Sequence, residues 1–312
     1  MEKTIAVIGA GLIGRAWSMV FARAGWRVRL NDKFPAQLDA ARAFIDASLA
    51  EQAEFGLVVD PQAASARIEY VPELAAAVAG VDWVQENLPE VVDVKREVYT
   101  LLDRYAPADA ILASSTSAIP ASQFTEALPG RARCLVAHPV NPPHLVPIVE
   151  LCGAPWTAQA TIDRALATYA EVGQVPIIVR RELDGFILNR LQGALLSEAM
   201  RLVGEGYVSP EDLDKTVRDG LGLRWSFMGP LATIELNAPG GVADYCARYS
   251  GFYRRLAAEP PEPSVWDAAN AARVAGALGP PADASALDRR TRWRDRRLMA
   301  LAKHKREQSD TN

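Results

Sequence analysis

The chain has 312 residues, 49% of them hydrophobic, which is enough for two packed domains and too much for one small core. Its 34 basic and 38 acidic side chains leave a net charge of −4, so no global field draws it to nucleic acid or to an anionic membrane; a small molecule, or a second copy of itself, is the expected partner. The three cysteines, Cys134, Cys152 and Cys246, have no metal-ligand spacing and are too few to staple a secreted fold of this size, which points to a reducing cytoplasm and to no metal.

The opening MEKTIAVIGAGLIG holds only a short apolar run broken by glycines, so it reads neither as a signal peptide nor as a membrane span, and no later stretch reaches membrane length. Residues 5–8 form a first strand. After GAGLIG, Ala16, Trp17, Val20, Phe21 and Ala24 repeat at helical spacing as far as Gly25. Residues 27–31 give a second strand that ends on Asp32, closing a βαβ unit of about 30 residues. A helical excursion is predicted over 35–56, with a further polar segment over 61–69. Strands then recur at 83–86, 111–114, 134–137, 148–151 and 177–179, with helices between them such as 94–104 and 161–172. This alternation predicts an α/β Rossmann-type, doubly wound and mostly parallel sheet.

After Gly185 the strand pattern stops. FILNRLQGALLSEAMRLVGEG predicts a long amphipathic helix, and further helical text follows with proline breaks at 260–263 and 280–281. The expected division is therefore a dinucleotide-binding domain over 1–184 and an all-α C-terminal domain over 185–312. The arginine-dense run 289–307 carries Trp293, Leu298, Met299 and Leu301 at roughly helical spacing, and is read as a terminal amphipathic helix rather than a nucleic-acid patch.

A GxGxxG alone is weak evidence. Here Gly9, Gly11 and Gly14 lie between a strand and a helix, and an acid follows 18 residues beyond Gly14 at the end of the next strand. The glycines permit a tight turn, close approach of a pyrophosphate and close helix packing, while Leu12 and Ile13 open the helix whose free N–H groups face the phosphates. Asp32 would accept hydrogen bonds from the adenosine ribose and repel a 2′-phosphate, which selects NAD. FAD uses a similar fingerprint, but the polar segments further along suit hydride transfer from an alcohol.

Those segments are SSTSAIP from Ser114, HPVNPP from His138 with Glu150 twelve residues on, and GFILNR containing Asn189. With the GAGLIG turn they resemble the 3-hydroxyacyl-CoA dehydrogenase superfamily. VAHPVNPP, NRLQ, VSPEDLD, GLGLRW, GPL, LNA and WRDRRLMALAKHK are similar to its lambda-crystallin and L-gulonate 3-dehydrogenase branch, over nearly the whole chain. The resemblance implies a catalytic set of Ser117, His138, Glu150 and Asn189, nucleotide contacts from Glu90 and Lys95, and Asn141 near the nicotinamide and substrate. It also implies a homodimer, in keeping with the apolar helix faces.

The chemistry agrees with this set. Oxidising a secondary alcohol needs a base that titrates near neutrality, and imidazole does. A carboxylate such as Glu150 would fix its tautomer, while Ser117 and Asn189 would position the reacting oxygen. As bland readings, His138, Ser117, Asn189 and Glu150 would be respectively a satisfied core histidine, a helix cap, a helix-surface residue and a strand-end charge, and Glu90 and Lys95 would lie on a solvated helix face. Arg224 in GLGLRW is read as the anchor of a substrate carboxylate, as half of a structural salt bridge or as a free surface residue. Three functions follow: NAD-dependent oxidation of the 3-hydroxyl of a small hydroxy acid, the same chemistry on a short acyl-CoA, or a non-enzymatic, crystallin-like NAD-binding role.

Overall fold

A computed structural model of the protein describes residues 3–308; residues 1, 2 and 309–312 of the expected domains lie outside it. Two compact units result. The first holds the chain through Asn189 together with the segment from Leu287 onward, and the second is Arg190–Ala286. The division expected between residues 184 and 185 thus falls five residues later, and the terminal helix belongs to the first unit rather than to the helical domain.

In the first unit, β1 (Thr4–Ile8), β2 (Arg27–Asn31), β3 (Ile68–Val71), β4 (Trp83–Glu86), β5 (Ile111–Ser114), β6 (Cys134–Pro139), β7 (Ile148–Gly153) and β8 (Val175–Val179) make one sheet in the order β3-β2-β1-β4-β5-β6-β7-β8. All neighbouring pairs are parallel except β6 with β7. Both faces are covered, so the central strands are buried on both sides and largely apolar rather than alternating with exposed polar residues; β4, which ends in buried Gln85 and Glu86, departs from this. The alternation survives in which face each residue serves: Ile5, Val7, Leu135 and Ala137 join the core on one side, and Ala6, Ile8, Cys134 and Val136 the core on the other. Helices α1 (Leu12–Arg23), α2 (Pro35–Glu54) and α3 (Pro61–Ala66) precede β3, and α4 (Leu74–Val78), α5 (Val92–Tyr105), α6 (Ser122–Thr125) and α7 (Gln159–Glu171) follow it. Trp17, Phe21, Ile45 and Tyr169 fill the first core; Tyr99, Leu102 and Phe124 fill the second.

Strand β3 is missing from the sequence reading, which ran helical text through residue 69. IEYV is a short, half-exposed edge with one fully apolar side, so it lacks the buried run that identified the other strands. The opposite edge, β8, carries Pro176, a residue tolerated where no ladder donor is needed.

Helix α8 (Leu188–Gly204) begins in the first unit. The second unit continues with α9 (Pro210–Lys215), a π-helical turn (Thr216–Leu221), α10 (Gly222–Trp225), α11 (Pro230–Glu235), α12 (Gly241–Ala257) and α13 (Ala268–Leu278). Buried Asn270 fastens it by donating to the carbonyls of Met200 at 3.2 Å and Val265 at 2.8 Å, and a Cβ on Gly204 would meet the Asn270 amide at 1.9 Å. No described helix is long and apolar enough to cross a membrane.

The terminal helix α14 (Ala284–Glu307) returns to the first unit. Met299 is 1% exposed and packs with Leu57 and Leu145, while Arg296 pairs with Glu51 at 2.8 Å. Only one stripe of this helix is apolar, and its arginines stay at the surface, as expected of a solvated face. Met299→Ala should lower unfolding stability by about 2–4 kcal/mol, the usual cost of truncating a buried methionine, whereas Trp293→Ala, at an exposed position, should cost under about 1 kcal/mol. Urea unfolding of the two variants checks this.

Candidate active site

The turn after β1 is built on two glycines that have no alternative. Gly9 has φ +94°, and a Cβ there would lie 2.9 Å from the Asn87 carbonyl oxygen. A Cβ on Gly14 would lie 1.8 Å from the Gly9 carbonyl oxygen, so α1 could not approach the turn. Gly11 is different: its Cβ would meet nothing within 4 Å, and as the N-cap of α1 it offers no side-chain acceptor. The N–H groups at the start of α1, where Leu12 is exposed, are therefore open to an anion. Asp32, at the end of β2, accepts from the backbone N–H of Ala10 at 3.0 Å and of Phe34 at 3.0 Å. Its carboxylate is thus tied to the glycine turn itself.

The antiparallel register of β6 and β7 sets His138 directly opposite Glu150, which is the physical meaning of their twelve-residue spacing. His138 Nδ1 lies 2.7 Å from Glu150 Oε2, with Glu150 fully buried and His138 5% exposed. The other oxygen, Oε1, accepts from the N–H groups of Ile187 and Leu188, each at 2.9 Å, where α8 starts. Burial raises the Glu150 pKa, but the bonds from His138, Leu188 and Ile187 outweigh it and hold the group below the usual carboxylate value. Gly185 and Phe186 both take positive φ, 74° and 47°, in the bend that delivers those donors, and the Phe186 ring lies 5.7 Å from the His138 ring. Nε2 has no partner among the described residues.

One residue further along α8, Asn189 Nδ2 donates to the Ser117 carbonyl at 2.9 Å, and the Ser117 N–H donates to Glu90. Glu90 also accepts from the Thr116 hydroxyl at 2.7 Å. His138, Glu150, Asn189, Ser117 and Glu90 are therefore one connected set, joined through the first turn of α8. Asn141 is exposed and precedes a cis bond to Pro142.

Two residues sit differently from their expected roles. Lys95 is 1% exposed, its ammonium 3.0 and 3.1 Å from the oxygens of Glu86, which also accepts from the Ser114 hydroxyl at 2.6 Å. It is an internal ion pair under the SSTS loop, neither a solvated charge nor an open nucleotide contact, because it shares the inward face of α5 with Val98, Tyr99 and Leu102. Glu90 is exposed but spends both oxygens on the serine loop. Sequence reasoning missed Glu86 and the buried polar layer beside it, where Ser115 receives bonds from Trp17 Nε1 at 3.0 Å and Gln85 at 2.8 Å and donates to Asn87 at 2.7 Å. The phase of Lys95 with the apolar residues of α5 was the available signal. In the second unit, Arg224 is exposed in α10 and makes no side-chain hydrogen bond or ion pair with another described residue.

Residues 4–183 match the NAD-binding domain of 3-hydroxyacyl-CoA dehydrogenase, and residues 185–277 match its C-terminal domain. The chain belongs to the 3-hydroxyacyl-CoA dehydrogenase family. Within that family it is 44% identical over 307 residues to the lambda-crystallin homolog of Bos taurus, covering 96% of this chain and 95% of the relative. It is 40% identical over 233 residues to the L-carnitine dehydrogenase of Burkholderia mallei, covering 75% and 72%. Among solved structures, an NAD+-dependent 5-formyl-3-hydroxy-2-methylpyridine 4-carboxylic acid 5-dehydrogenase matches with a TM-score of 0.83 at 27% identity, covering 97% of this chain and 98% of that one.

The protein is accordingly an NAD-dependent oxidoreductase acting on a CH–OH group of a small molecule, as expected from its sequence. The glycine turn fits the cofactor on its own geometry, since side-chain atoms are excluded where the helix meets the turn and space is open at Gly11. The two positions make opposite demands. Gly11→Ala should fold with an unchanged melting temperature yet lose NADH affinity roughly ten-fold or more, whereas Gly14→Ala should be destabilised by more than about 3 kcal/mol. Thermal melts with NADH fluorescence titration separate the two outcomes.

Proposed function

We propose that this dehydrogenase oxidises the 3-hydroxyl of a free hydroxy acid of the L-gulonate type, with His138 as the general base. The observation that carries the reading is the 2.7 Å contact between His138 Nδ1 and a fully buried Glu150. A carboxylate that is itself held by two backbone donors accepts a hydrogen bond from Nδ1–H, which leaves the lone pair on Nε2. The substrate hydroxyl gives its proton to Nε2 as its carbon loses hydride, and Glu150 stabilises the imidazolium that results. When bound, NAD supplies the hydride acceptor. The Ser117 hydroxyl positions the reacting oxygen. Asn189 acts through Ser117 by fixing its carbonyl, and Glu90 fixes its N–H. Asp32 prefers the free ribose of NAD to the 2′-phosphate of NADP.

His138→Ala should leave NADH binding intact and lower kcat by roughly 10²–10⁴-fold, the usual worth of a positioned base. Glu150→Gln should lower kcat and move the pH profile. Near-normal turnover of His138→Ala would place the base elsewhere.

The free-acid reading draws support from Arg224, an exposed guanidinium without a protein partner, and from relatives named L-carnitine dehydrogenase. A planar fork of this kind suits a carboxylate. The family name favours a second reading, a 3-hydroxyacyl-CoA substrate. A panel of L-gulonate, 3-hydroxybutyrate and 3-hydroxybutyryl-CoA, followed by NADH absorbance, decides between them; turnover of the thioester alone ends the free-acid reading. Arg224→Met should raise KM for the acid roughly ten- to hundred-fold, Arg224→Lys should recover part of this, and a neutral ester should be indifferent to both. Equal losses on acid and ester would make Arg224 structural.

A further inference from the structure

A cavity of about 510 Å³ opens in the first unit at the end of α1, between the α2–α3 connection, the turn after α7 and the terminal helix α14. None of the residues of the glycine turn or of the His138–Glu150 set lines it. Three guanidinium groups do: Arg23, Arg67 and Arg306. None of the three has an ion-pair partner among the described residues. Each bonds only neutral acceptors: Arg23 the Gln52 side chain at 3.3 Å and the His144 carbonyl at 2.8 Å, Arg67 the Ala63 carbonyl at 3.0 Å, and Arg306 the Leu57 carbonyl at 3.4 Å. Most of the five donors on each fork are left over.

Two carboxylates also line the cavity, but neither forms an ion pair with the three guanidinium groups. Glu171 is paired with Lys3 at 2.5 Å, and Asp60 accepts from the Ala63 N–H at 2.8 Å as the cap of α3. The concentration of positive charge leaves a second trace: burial and the neighbouring Arg306 lower the Arg23 pKa to about 10. Gathered arginines repel one another, so the arrangement is relieved by an anion of more than one charge that offers several acceptor oxygens. The remaining wall is apolar, with Leu57 and Val58 buried beside it. The volume lies in the range of small-molecule sites and is large enough for a sugar- or aryl-sized body.

We propose that this cavity is a second ligand site that binds a small phosphate monoester, its phosphoryl group among Arg23, Arg67 and Arg306 and its apolar body against Leu57 and Val58. The site is independent of the hydroxy-acid reading. Through Arg23 it touches the His144 carbonyl, in the segment that links His138 to Glu150.

The test uses the full chain with saturating NADH, which fills the cofactor's own phosphate contacts, and titrates phenyl phosphate at constant ionic strength while following the melting temperature. The wild type should show a saturable rise, and benzoate, with one charge, a weaker one. Arg67→Gln and Arg306→Gln should each raise the half-saturating concentration ten-fold or more, as the loss of one charge-assisted bond implies, with NADH affinity unchanged. The half-saturating concentration is read from each protein's own baseline, so a variant that melts lower still reports it. Absence of a saturable rise in the wild type overturns the proposal. So does unchanged affinity in both variants, which would put the phosphate in another site.

Discussion

The carboxylate of Glu150 is where the first unit is tied together. One of its oxygens holds His138, on the neighbouring strand, and the other holds the first N–H groups of α8. A buried carboxylate is costly unless its lone pairs find donors, and here three donors come from two separate pieces of chain, β6 and the start of α8. Because α8 is pinned at Ile187 and Leu188, Asn189 reaches Ser117, and because Ser117 is held at its carbonyl it presents its N–H to Glu90. The sharp bend at Gly185 and Phe186 is the strained link that makes the arrangement possible. Removing the charge at Glu150 would therefore loosen an imidazole, a helix start and a serine loop together.

Beneath this set lies a second buried charge, the Glu86–Lys95 pair, which is closed in a different way. Glu86 ends β4 and is met by an ammonium and a hydroxyl from neighbouring elements, and the backbone N–H of Leu88 completes it. The two carboxylates stand on strands separated by β5 and β6, with the serine loop leaving from β5. A loop flanked on either side by a buried, hydrogen-bonded carboxylate has few alternative conformations, which suits residues that must meet a reacting oxygen in one geometry.

Much of this was legible beforehand. The βαβ unit, the parallel sheet and the helical second half follow from hydrophobic period and spacing; the pairing of His138 with Glu150 was implied by the family resemblance, and the antiparallel register of β6 and β7 is what turns their twelve-residue separation into contact. The misses have physical reasons. The edge strand Ile68–Val71 has too few buried residues to show a period. Lys95 was placed at the nucleotide by the family resemblance, without regard to its phase on α5, and the terminal helix was assigned by sequence position, although its packing partners, Leu57 and Leu145, lie far away in the chain. No local pattern could have shown that contact, nor that the Glu90 carboxylate would turn to the serine loop.

That long-range contact bears on how the protein is made. The first unit is not continuous in sequence: the bond from Arg306 to the Leu57 carbonyl spans 249 residues, with the whole of the second unit between its partners. As a nascent chain leaves the ribosome, the sheet can assemble before α14 has been synthesised, so the apolar seat of Met299 on Leu57 and Leu145 stays open throughout translation of the second unit. Contacts of such separation carry the largest closure entropy and form last. The final helix is thus the one that ends the exposure of a sticky patch, and a ribosome that stalls within the second unit releases a product with that patch bare.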